Sequence, residues 1–159
     1  VSDAEAAEAT RFWVEFFVPS QPVAQPRRLV VTVGGHGRSV EAPSRHPIHA
    51  WKSAVQAAAY PRRPPEQLAG PVRVTLEFGF QPPQTAILAA KTNPHLRSQW
   101  CITKPDRDNL DKAVLDALKQ VGFYRDDCQV VDGQISKRYA RPWLGEIPGV
   151  SILVEELEP

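Results

Sequence analysis

No run of apolar residues in this chain approaches the ~20 that a membrane-spanning helix requires, so no membrane span is expected. The opening residues, V-S-D-A-E-A-A-E, lack the basic and apolar regions of a secretion signal, and a cytoplasmic protein is expected. Cysteine is nearly absent. Cys101 and Cys128 are too few for a structural zinc site of cysteines alone, and a reducing compartment argues against a required disulfide, so both read as ordinary thiols. There is no internal repeat, no low-complexity tract and hardly any net charge, +1 over 159 residues. With 42% hydrophobic residues, the chain is most simply one domain over 1–159, long enough to bury a core.

The small net charge hides a division along the chain. Residues 27–63 carry Arg27, Arg28, Arg38, Arg45, Lys52, Arg62 and Arg63 against Glu41, a balance of 7 − 1 = +6. Residues 105–132 carry seven aspartates against Arg107, Lys112, Lys119 and Arg125, a balance of 4 − 7 = −3. A basic surface beside an acidic focus suits a polyanion approaching bound cations, although arginines also merely solubilise small domains.

Hydrophobic periodicity gives the coarse architecture. Residues 1–10, acidic and alanine-rich, are expected to form a helical turn or a loose terminal segment. Phe12, Val14, Phe16 and Val18 alternate as in a strand, which Pro19, Pro22 and Pro26 end. L-V-V-T-V, G-G-H-G and a short run near Ser39 predict a hairpin rather than a phosphate cradle, since no following helix or lysine-serine signature accompanies the glycines. A helix is predicted from Pro47 to about Tyr60, with Ile48, Trp51, Val55 and Ala58 inward. His46 and His49 have a helix-compatible spacing, but nothing nearby completes a metal site. Residues 71–80 are the clearest strand. Between 81 and 103 the periodicity dissolves into a long loop, expected to act as a flap that touches a ligand. One strand is expected through 129–140, with Gly133 as a bulge, and a last one along G-V-S-I-L-V-E-E. The expected fold class is α+β, a mainly antiparallel or mixed sheet with two principal helices.

The chemistry concentrates in residues 104–131. Leu110, Ala113, Val114, Ala117, Leu118 and Val121 make one helical stripe, predicting a helix over about 109–121, with Asp108 or Asn109 as N-cap and Gly122 ending it. Asp106 and Asp108 stand at its start, and Asp126 and Asp127 follow its exit. Asp108, Lys112 and Asp116 fall together on the wheel, opposite the stripe. A calcium loop starting at Asp106 is excluded, because Leu110, Asp111 and Ala117 occupy the places that need an oxygen ligand, glycine and glutamate. An isolated Asp-x-Asp is usually solvated surface, and Asp108 with Lys112 is equally consistent with an i,i+4 pair worth roughly 0.2–0.5 kcal/mol. The richer pattern suits a hard cation held by carboxylates: Asp106, Asp108 and, if the chain folds back, Asp127, with Lys112 beside it. Metal-assisted phosphodiester hydrolysis is the natural reaction class.

The run K-P-D-R-D-N-L-x-K-A-V-x-D-A-L, followed by G-x-x-x-D-D-x-Q-V-V, resembles the RusA family of Holliday junction resolvases, phage-associated endodeoxyribonucleases. The resemblance is close over about 104–131. It implies a Mg2+-dependent homodimer, with Mn2+ as a possible substitute, that resolves four-way DNA junctions by paired symmetric nicks. It implies metal-binding carboxylates at Asp106, Asp108 and Asp127, a catalytic lysine at Lys112, and Asp126 as a supporting or alternative carboxylate. Adjacent residues on an extended chain point to opposite sides, so only the family-like spacing favours Asp127 over Asp126. Arg27, Arg28, Arg62, Arg63, Lys104 and Arg107 are the expected phosphate contacts. The long 81–103 connection, the acidic N-terminus and Asp111 depart from the pattern. They leave room for other branched DNA, for a non-cleaving DNA-binding or assembly module, and for a metal-dependent hydrolase of small phosphate esters.

Overall fold

Alternation of large apolar residues along Val72–Phe80 dictates a strand with one buried face. Val72, Val74, Leu76, Phe78 and Phe80 are all buried, while Arg73, Thr75, Glu77 and Gly79 face the other way. In the computed structural model, which describes residues 11–159, this strand is β4, inside a five-stranded sheet. The sequence expectation for residues 1–10 lies outside the described residues.

Strand β1 (Trp13–Pro19) pairs antiparallel with β7 (Gly149–Glu156), which pairs antiparallel with β4. On its other edge β4 pairs in parallel with β5 (Val130–Asp132) and then β6 (Ile135–Tyr139). The sheet is therefore mixed. The predicted single strand through 129–140 is two strands, and Gly133 is the reason. It has φ +135°, and a Cβ there would sit 1.8 Å from the Val74 carbonyl oxygen. Only glycine permits this approach, and β6 resumes beyond it with Leu76 N–H donating to Gln134 O at 2.8 Å.

Helices α1 (Pro47–Ala59) and α3 (Arg107–Gln120) pack on each other, α1 also meeting β1 and α3 meeting β6. Their inward stripes are Ile48, Trp51, Val55 and Ala59 on α1, and Leu110, Ala113, Val114, Ala117 and Leu118 on α3. Each large member of these stripes contributes about 1.5–3 kcal/mol by leaving water. Lys52 on α1 forms an ion pair with Asp116 on α3 at 3.6 Å. The two histidines are used separately: His46 is tied to the start of α1 and His49 to the chain before it. His46 caps α1, its Nδ1 accepting from Ile48 N–H at 3.1 Å, while His49 Nε2 reaches Ala42 O at 3.2 Å.

The predicted hairpin forms as β2 (Leu29–Val33) and β3 (His36–Val40), a separate two-stranded sheet. The 81–103 connection corrects the expectation of a structureless loop. It contains a third helix, α2 (Gln84–Thr92), whose buried residues are only Ala86 and Ala90. Two alanines give too faint an apolar stripe to be noticed, although alanine favours helix. The rest of the connection is anchored to β6: Cys101 N–H donates to Lys137 O and Tyr139 N–H to Gln99 O, both at 2.9 Å. Arg138 also lies over the Trp100 ring at 3.6 Å.

Candidate active site on helix α3

Helix α3 begins two residues earlier than its stripe suggested. Asp106, in extended conformation (φ −71°, ψ 143°), is the N-cap residue, and its carboxylate makes no capping hydrogen bond. Proline at 105 restricts the residue before it, not those after, so helical geometry starts directly at Arg107. Asp108 falls in the first turn, where the exposed N–H groups favour negative charge. Asp106, Asp108 and Lys112 are all exposed, and among the described residues none has an ion-pair or hydrogen-bond partner for its side chain. Other acids of the segment are paired: Asp116 with Lys52, Asp126 with Lys119 at 3.6 Å, and Asp132 with Arg73 at 2.8 Å.

The far end of α3 closes as the glycine predicts. Gly122 is left-handed (φ +92°), Gly122 N–H donates to Lys119 O at 3.1 Å, and Phe123 N–H to Leu118 O at 3.2 Å. Phe123 and Tyr124 then enter the core, and the chain turns through Asp126 into a single 3-10 turn, Asp127–Gln129. Two side chains not singled out in the sequence hold this turn. Gln129 Oε1 accepts from Arg125 N–H at 2.9 Å and Asp126 N–H at 3.0 Å, while its Nε2 donates to Leu68 O at 2.9 Å and Gly70 O at 3.0 Å. Tyr124 donates its hydroxyl proton to Leu115 O on α3 at 2.8 Å. Burial, with help from the negative charge of Asp127, holds the Tyr124 phenol well above its ordinary pKa, so it remains a donor. The sequence signal for Gln129 was its place three residues after Asp126, the spacing of a capping box, which the structure forms.

Among the described residues no three acidic, histidine or cysteine side chains lie close enough to hold one ion. The adjacent carboxyls of Asp126 and Asp127 interact, which raises Asp127 above the usual carboxylate range and lowers Asp126, aided there by Cys128 N–H and Lys119. The other charges felt by Asp127 are those of Asp116 and Lys119. Asp127 is in turn felt by Asp111, whose carboxyl is raised first by half-burial and is opposed by Arg107. Asp111 is therefore part of the electrostatics around Asp127, a residue the sequence reading noted only as a departure from the family pattern.

The basic residues divide into separate groups. Arg27 and Arg28 line a cavity of about 370 Å³ with His49, Lys52, Gln56, Asp116 and Gln120. Arg107 borders a different cavity of about 590 Å³ along Gly133–Lys137, and Lys104 is exposed beside α3. Arg62 and Arg63 lie past the end of α1, Arg62 donating to Ala58 O at 2.6 Å and Arg63 stacking on Tyr60 at 3.7 Å.

The family model for endodeoxyribonuclease RusA matches residues 19–155, which includes both acidic groups and Lys112. The chain belongs to the RusA endodeoxyribonuclease family. RusA nucleases act on branched DNA, resolve Holliday junctions and generally depend on a divalent metal. The chain is also 31% identical over 149 residues to the uncharacterized protein YqaN of Bacillus subtilis (strain 168), covering 91% of this chain and 96% of that protein. Among the described residues no helix is long and apolar enough to cross a membrane.

Proposed function

We propose that this RusA-family chain is a Mg2+-dependent, structure-selective endodeoxyribonuclease that resolves four-way junctions as a homodimer, by two symmetric nicks. The observation that carries the reading is the set of free charges at the start of α3. Asp106, Asp108 and Lys112 are exposed and unpaired among the described residues, where Asp116, Asp126 and Asp132 are all ion-paired. Unpaired charge on two successive turns is available for a ligand.

These residues fit a magnesium ion. The donors are all hard oxygens, and Mg2+ is commonly held by one or two carboxylates together with water and substrate phosphate. Asp106 and Asp108 would hold it, with Asp127 as the third carboxylate and the adjacent Asp126 as a supporting or alternative one. When bound, the ion would offset the carboxylate charge, draw in the scissile phosphate and make water a better nucleophile; Mn2+ has the same oxygen preference. Lys112 stabilises the negative charge that grows on the phosphate in the transition state. Arg27, Arg28, Arg62, Arg63, Lys104 and Arg107 hold the DNA backbone, each phosphate contact contributing about −0.9 to the slope of log K against log salt. Closed two-fold symmetry supplies two equivalent sites for two equivalent cuts.

The test is cleavage of a labelled synthetic four-way junction with Mg2+ or Mn2+, beside duplex and single-stranded controls. Asp108→Asn is expected to abolish cleavage while sparing junction binding. Lys112→Ala should slow the single-turnover rate by roughly 10²-fold or more. A wild-type protein that binds the junction and leaves it intact with both metals would overturn this reading in favour of a binding module.

A further inference from the structure

We propose that the β2–β3 ribbon is a DNA-gripping arm, lying in the groove of a duplex arm that flanks the scissile phosphate. The inference rests on the nuclease reading above and adds a contact surface to it. The ribbon is not part of the five-stranded sheet. A two-stranded hairpin is marginally stable alone in water, and this one gains little from the body. Val30, Val31, Val33 and Val40 are 69%, 46%, 60% and 45% exposed, and the register places Val30 on one face with Val31, Val33 and Val40 on the other. Both faces therefore await an occupant.

Charge identifies that occupant. Residues 27–45 contain Arg27, Arg28, Arg38 and Arg45 against Glu41, a balance of 4 − 1 = +3 with histidine neutral. Arg38 lies on the ribbon itself and Arg27, Arg28 and Arg45 flank it, so a polyanion is attracted along the whole segment. Dimensions agree, because the major groove of duplex DNA admits a two-stranded ribbon, and exposed valines suit thymine methyl groups. The tip turn, Gly34 and Gly35 at φ +60° and +81°, has open space where side chains would be, so backbone can approach a groove closely.

Position links the arm to the site. Gln25 N–H, just before the ribbon, donates to Asn109 O in the first turn of α3 at 2.9 Å. Arg27, Arg28, Val40 and Glu41, at the ribbon's root, border the polar cavity that α1 and α3 complete with Lys52 and Asp116. The segment leading into the arm is thus held to the first turn of α3, and the arm's root lies against α1 and the later turns of the helix that carries the unpaired carboxylates.

The experiment compares wild type with Arg38→Ala and with a variant in which residues 31–38 are replaced by two glycines. Binding to a four-way junction and to a plain duplex is measured by anisotropy across a salt series, with a photocrosslinking residue at Val33 in a third variant. Among the described residues none of 30–41 belongs to the hydrophobic core, so melting temperatures should match wild type. Arg38→Ala should weaken binding roughly tenfold and flatten the salt slope by about 0.9, with the single-turnover rate at saturating protein retained. The ribbon deletion should weaken it further, and Val33 should crosslink to DNA. Unchanged affinity and slope in both variants, or crosslinking to a second copy of the chain, would overturn the arm while leaving junction cleavage by the wild type intact. Failure of the wild type to bind any of the DNAs would instead overturn the nuclease reading and the arm with it.

Discussion

Gln129→Leu tests how the second acidic group is held. The side chain makes four hydrogen bonds, two accepted from Arg125 and Asp126 N–H and two donated to Leu68 and Gly70 carbonyls. Leucine has similar bulk and none of these bonds. At about 1 kcal/mol for each bond, discounted because Arg125 is exposed and water can replace some partners, the loss is roughly 2–3 kcal/mol. For a domain of this size that lowers the melting temperature by roughly 4–12 °C. The functional consequence is separable from the loss of stability. At a temperature well below the new midpoint, the turn that carries Asp126 and Asp127 loses its tether to residues 68–70, while Asp106, Asp108 and the basic surface are untouched. Junction binding should therefore persist, cleavage should fall, and the Mg2+ concentration for half-maximal rate should rise. Calorimetry, anisotropy and single-turnover cleavage across a Mg2+ titration read these three quantities. A variant that melts several degrees lower yet cleaves with the wild-type Mg2+ dependence would refute the assignment of Asp127 to the site.

Gly133→Ala should be among the most damaging single changes, costing more than ~3 kcal/mol, since a Cβ would stand 1.8 Å from Val74 O and the φ of +135° is unfavourable for alanine. Insoluble protein or a melting temperature lowered by more than ~6 °C is the expected result, and a near-normal melt would mean that β5 and β6 pass β4 differently. Asp111→Asn addresses pH. The folded state raises the Asp111 carboxyl through burial, so its stabilising contribution is fully present below the unfolded pKa of about 3.9 and is lost as pH rises through the folded value. Without metal, the asparagine variant should melt a few degrees above wild type at pH 7, and the gap should close as pH falls towards 4; a gap independent of pH would contradict the burial argument. Asp127→Asn should abolish cleavage, whereas Asp126→Asn should reduce it only in part, and the reverse order would exchange their roles.

What could be read from residues alone was governed by how much each element depends on its own side chains. The clean alternation in 72–80 and the wide stripes of α1 and α3 are local consequences of burial, and the structure follows them within one or two residues. Helix α2 escaped because it buries only alanines, and the break between β5 and β6 escaped because its cause is the Val74 carbonyl, 59 residues away in the chain. The site divides along the same line. Asp106, Asp108 and Lys112 lie within two turns of one helix, so their proximity is a property of helical spacing and was legible. The position of Asp127 depends on Tyr124 reaching back to Leu115 and on Gln129 gripping residues 68–70, contacts between distant segments that no local pattern encodes. Sequence spacing could name Asp127 only through family resemblance, and the fold leaves it among Asp111, Asp116 and Asp126. Assembly of the three proposed ligands must then be coupled to a binding event, because gathering unpaired carboxylates around no cation would concentrate negative charge at a cost in free energy. Cleavage should accordingly depend more steeply on divalent metal than junction binding does, since the proposed basic contacts would hold DNA without it.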